Sequence, residues 1–152
     1  MTLKITNPGL STSVQDLGRP GYFHLGIPMG GAMDRLALRA ANLLVGNPED
    51  AACLEAVFLG PTIEFTTTAT VAVTGADLPV KVDGVPQEGW TSFTVKAGQV
   101  LSFDFLKSGA CAYIAVSGRT DNTPAPGSRS PSPRGAAGGV GGRRFRGWLA
   151  PP

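Results

Sequence analysis

Cysteine and histidine are scarce, with two of the first and one of the second in the chain. Cys53 and Cys111 stand far apart, each within an apolar run. That placement suits buried free thiols, since a disulfide framework needs an oxidising compartment and a denser cysteine pattern. His24 has no cysteine or second histidine near it, so neither a metal site nor a Ser/His/Asp triad finds support. No apolar run reaches transmembrane length, and the first eight residues lack the pattern of a signal peptide. A cytoplasmic protein without membrane contact is therefore expected. A phosphate loop is missing too. Gly138-Gly139-Val140-Gly141-Gly142 lacks the Lys-Ser/Thr pair that would hold a nucleotide.

What the chain does have is apolar residues and turn formers. Of its 152 residues 42% are hydrophobic, with 21 Gly and 13 Pro, a composition that suits one turn-rich β domain with a real core. The net charge of +2 conceals an asymmetry. Residues 1–118 hold seven Lys and Arg against ten Asp and Glu, whereas residues 119–152 hold six Arg, no Lys and only Asp121. That second segment has seven Gly and six Pro among its 34 residues, and no helical or strand period. Such a composition cannot bury enough apolar surface to offset ordering, so a disordered tail is expected. Its arginines come with no lysine and little aromatic interleaving, only Phe145 and Trp148, which argues against a nucleic-acid arm.

Short strands are expected at 3–5, 12–14, 54–58, 62–65, 71–74, 80–82, 91–95, 100–105 and 112–116. Asp83-Gly84 is a two-residue hairpin signal, and Lys96-Ala97-Gly98-Gln99 turns a second hairpin. The best helix spans 34–45, with Asp34 as N-cap and Gly46 as stop. Leu36, Ala40, Leu43 and Leu44 define its expected apolar face, and Arg35, Arg39 and Asn42 an opposite polar stripe. Asn47-Pro48 reads as the start of a second helix. The fold class is thus mainly β with one or two short helices, a barrel or sandwich.

The densest polar signal is Gln15-Asp16-Leu17-Gly18-Arg19-Pro20-Gly21-Tyr22. Glycines and proline fix a turn there, and fixed turns often hold a geometry. Arg19 offers a bidentate fork to a carboxylate, and Asp16 can accept from an amide N–H or serve as a base. The plainer reading is that Asp16 and Arg19 pair and brace the turn. Tyr22 can stack on a ligand or simply pack. Arg39 and Asn42 can reach the same pocket or sit on a solvated helix face. Glu55 lies in an apolar run and so needs a partner such as Arg39 or Arg19.

These blocks, with Gly9-Leu10, Gly31-Ala32-Met33-Asp34, Ala41-Asn42, Val45-Gly46-Asn47, Leu54-Glu55, Gly60-Pro61 and Thr74-Gly75-Ala76, resemble the carboxyltransferase subdomain A and B family. The family is also called allophanate hydrolase subunit 2. The resemblance runs from Ile5 to about Gly118 and implies the N-terminal half of a larger polypeptide with a cyclophilin-like β-barrel. It implies ATP-dependent opening of 5-oxoproline to glutamate, as in the 5-oxoprolinase members of the family. The implied partners are a companion subunit like the Kip-type kinase inhibitor and a lactam-opening subunit. Two further activities occur in the family: biotin-dependent carboxyl transfer in urea or allophanate metabolism, and regulation of a Kip-type inhibitor. The resemblance makes Asp16 and Arg19 the expected catalytic pair, and Gln15, Tyr22, Arg39 and Asn42 the expected substrate-binding set. Asp34 and Glu55 are structural or pocket residues, and no metal is implied. Where the family continues Gly-Gly-Ile-Asp, this chain reads Ser117-Gly118-Arg119-Thr120-Asp121, which suggests frameshifted or degraded coding sequence beyond residue 118.

Overall fold

A computed structural model describes residues 3–118, and the expected tail lies outside the described residues. Ten strands form two five-stranded antiparallel sheets. The first sheet contains β1 (Leu3–Asn7), β4 (Thr62–Phe65), β9 (Val100–Phe103), β6 (Val80–Val82) and β7 (Val85–Gln87), in that order. The second runs β2 (Ser11–Gln15), β3 (Cys53–Val57), β10 (Ser108–Val116), β5 (Ala69–Asp77) and β8 (Ser92–Val95). The mainly β barrel class read from the sequence is the one found.

Strand alternation divides the core in two. Ile5, Val14, Leu54, Ile63, Phe65, Val71, Val73, Leu101 and Ile114 fill the space between the sheets. The other face of the second sheet presents Cys53, Ala72, Tyr113 and Ala115 to the helix α1 (Arg35–Leu44). The centre of that sheet is therefore buried on both faces, at residues 53–56 of β3 and 112–115 of β10.

Two expectations need correction. The helix does not bury Leu36 and Leu43, which are 75% and 62% exposed; it buries Ala37, Leu38, Ala41 and Asn42. Small alanines let the helix lie close on the sheet, where the Thr74 hydroxyl donates to the Ala37 carbonyl at 2.7 Å. A leucine face would hold it further off. The second helix does not form either, because residues 48–51 make a single turn closed by Ala51 N–H to Pro48 C=O at 3.0 Å. Asn47 caps nothing. Its amide donates to the Val116 carbonyl and its oxygen accepts from Gly118 N–H, so it ties the loop to the end of β10. A short 3-10 turn, Phe23–Leu25, follows the polar turn unannounced by the sequence.

Candidate functional site

The two sequence blocks meet. Asp16 Oδ1 accepts from Gly18 N–H at 2.8 Å, which sets the turn after β2. That turn is bolted to the 28–34 segment by Arg19 N–H to Met29 C=O at 2.7 Å and Ala32 N–H to Asp16 C=O at 2.8 Å. The backbones touch at Gly18 and Gly31, both at positive φ (88° and 91°). A Cβ on Gly18 would lie 2.7 Å from the Gly30 carbonyl oxygen, so only glycine fits.

Beneath this pair of loops, a row of polar side chains crosses four strands on the helix-facing side of the second sheet. Ser13, Glu55, Tyr113 and Thr74 stand in register across β2, β3, β10 and β5. The Tyr113 hydroxyl donates to Glu55 Oε2 at 2.7 Å and accepts from Asp34 N–H at 2.7 Å. Glu55 Oε2 also accepts from Met33 N–H at 3.0 Å. Two consecutive amides before α1 are thereby clamped to the sheet. Asp34 itself caps α1 as expected, accepting from Ala37 N–H at 3.0 Å.

Burial raises the ionisation thresholds of the acids around this clamp. The Tyr113 phenol is pushed well above the usual tyrosine range, first by burial and then by the Glu55 carboxylate that its hydroxyl contacts. Burial also pushes the Cys53 thiol from 9.0 up to about 12. Cys111 is raised by burial, with Glu55 and Asp34 adding to it. Neither cysteine has the environment of a reactive thiolate.

Of the expected site residues, Gln15, Asp16, Arg19 and Tyr22 share the turn region, while Arg39 and Asn42 lie elsewhere. Arg19 is 1% exposed and is the largest fully buried side chain among the described residues; Asp16 is 7% exposed. A guanidinium so far from water persists only within a supporting set of polar partners. Gln15 donates to Ser13 Oγ at 3.0 Å, and its carbonyl oxygen is buried with no hydrogen-bond partner among the described residues. Tyr22 is half-buried at the start of the 3-10 turn. Arg39 is on the surface, its Nε 4.0 Å from Glu49. Asn42 is fully buried and committed to architecture, donating to the Ala51 carbonyl at 2.7 Å and accepting from Asn47. Glu55 finds Tyr113 and Met33 rather than Arg39. Sequence reasoning missed Tyr113, Ser13 and Thr74. Only the strand register, in which all three fall opposite Glu55 or its neighbour, could have found them.

Known proteins share this barrel and its sequence. Residues 25–147 match the family model for the carboxyltransferase domain, subdomain A and B. The chain belongs to that family. It is 42% identical over 145 residues to the C subunit of 5-oxoprolinase from Escherichia coli (strain K12), covering 95% of this chain and 46% of that protein. Against the urea amidolyase of Saccharomyces cerevisiae it is 38% identical over 144 residues, 93% of this chain and 8% of the enzyme. The crystal structure of the K. lactis urea amidolyase superimposes with a TM-score of 0.93 at 34% identity, covering 99% of this chain and 9% of that one. The structure of TTHA0988 gives 0.90 at 31%, covering 99% of this chain and 56% of that one. The chain thus spans less than half the length of the curated relatives it matches. No helix among the described residues is long and apolar enough to cross a membrane.

Proposed function

We propose that this chain is the N-terminal half of a protein that works like the C subunit of 5-oxoprolinase. In this reading a multi-subunit, cytoplasmic assembly opens the cyclic amide 5-oxoproline to glutamate with consumption of ATP. Its companions are a subunit like the Kip-type kinase inhibitor and a lactam-opening subunit. The observation that carries the reading is the 42% identity to the E. coli protein over 95% of the chain.

The turn's chemistry supports an amide substrate. The enclosed Gln15 carbonyl is an acceptor suited to a lactam N–H, and Tyr22 beside it can shape the pocket. The burial of Asp16 and Arg19 favours a part as the rigid frame of that pocket. ATP is used by the complex and has no place assigned on these residues.

A second reading is favoured by the urea amidolyase relative and the K. lactis fold match: carboxyl transfer from carboxybiotin to urea, with biotin as cofactor. Product analysis separates the two. The assembled subunits should form glutamate from 5-oxoproline only when ATP is present, whereas biotin-dependent carboxylation of urea without glutamate would transfer the chain to the second reading. The purified 152-residue chain alone is expected to be inactive, and measurable turnover by it would contradict the need for partners.

A further inference from the structure

We propose that Ser13 is a positioning residue that sets the Gln15 carboxamide with its oxygen toward the substrate, so that the site selects rings carrying an N–H. The inference rests on the lactam reading above and deepens it. Ser13 stands on β2 directly opposite Glu55 of β3 and is 6% exposed, so the sheet fixes where its hydroxyl lies. Gln15 follows two residues later on the same strand, and side chains at that spacing share one face. The Gln15 Nε2 donates to Ser13 Oγ at 3.0 Å. That bond engages the NH2 end of the carboxamide. The other end, Oε1, is buried and has no hydrogen-bond partner among the described residues.

A buried carbonyl oxygen without a donor is costly and uncommon in folded chains. What satisfies it is an N–H or O–H. A lactam brings an N–H next to its carbonyl, whereas a ring with a methylene at that place brings none. A site built to bond a substrate N–H rejects the analogue lacking it far more strongly than an apolar pocket rejects a change of size. Without the Ser13 oxygen, the carboxamide is released to turn about its last bond, and the acceptor is no longer held in one direction.

Calorimetric titration of the assembled complex without ATP tests this, using 5-oxoproline and its carbocyclic analogue, in which a methylene replaces the ring N–H. The lactam should bind about tenfold or more tighter. Ser13→Ala should cut that ratio about threefold or more, and Ser13→Thr, which keeps the hydroxyl, should restore it. Gln15→Ala should bring the ratio close to one, and adding Ser13→Ala to it should change nothing further. A merely structural serine would weaken both rings alike. Equal binding of the two rings, a ratio that Ser13→Ala leaves intact, or a Ser13→Ala effect that persists in the Gln15→Ala background would each overturn the proposal, even if the complex releases glutamate. A lactam preference that depends on Ser13 would uphold it even in a complex that releases none, and only the 5-oxoprolinase reading would then fall.

Discussion

The Tyr113 hydroxyl accepts from the Asp34 amide and donates to the Glu55 carboxylate, so removing it strands two polar groups in a buried place. Tyr113→Phe should cost about 1–3 kcal/mol of stability, the usual range for an orphaned buried partner, measured by urea unfolding. Alkaline pH should have a related effect. Tyr113 and Cys53 are both held in the protonated form when folded, with ordinary values of 10.0 and 9.0. The unfolded chain therefore loses these protons first as pH rises. Stability from this source is complete below about pH 9 and declines above it, by up to about 1.4 kcal/mol per pH unit per group. Cys53→Ala and Tyr113→Phe should each flatten that decline between pH 9 and 11, and an unchanged slope in both would contradict the assignment. Gly18 is the other sensitive residue. Gly18→Ala combines a φ of 88° with a Cβ 2.7 Å from a carbonyl oxygen. A loss of roughly 2 kcal/mol or more is expected in the same assay.

At the scale of elements, α1 shows what periodicity can and cannot decide. Its limits were legible because Asp34 and Gly46 carry local chemistry, and Asp34→Ala should cost about 1 kcal/mol through loss of the cap to Ala37 N–H. Thermal unfolding would show it. Its inner face was not legible, because two apolar stripes compete on one helix. The winner is set by the alanine-lined sheet surface beneath, which is a tertiary fact. Asn42 illustrates the same limit. It reads as part of a polar stripe, yet its neighbours along that stripe are on the surface while it closes the loop to Ala51. The strands fared better, since turns such as Asp83-Gly84 mark their ends in the sequence itself. Of the site, the paired glycine-rich blocks were visible. The polar row beneath them was not, because only register brings Ser13, Glu55, Tyr113 and Thr74 together.

For the molecule as a whole, one barrel wall carries the candidate site, and the site is built as a stack. The sheet's polar row holds Met33 and Asp34, their segment holds the Asp16–Arg19 turn, and Gln15 and Tyr22 flank that turn in the chain. The chain covers 46% of the E. coli relative, so the proposed activity belongs to an assembly larger than these residues. The family match extends to residue 147, beyond the described part, and the gene read in the two alternative frames tests the proposed frameshift there. Absence of any family-like continuation in those frames would refute that origin. The decisive measurement is glutamate release from 5-oxoproline by this chain combined with its companion subunits. ATP-dependent glutamate that disappears when this chain is omitted is the predicted result. Undiminished glutamate from the companions alone, or none from a folded and fully assembled complex, would contradict the proposed function.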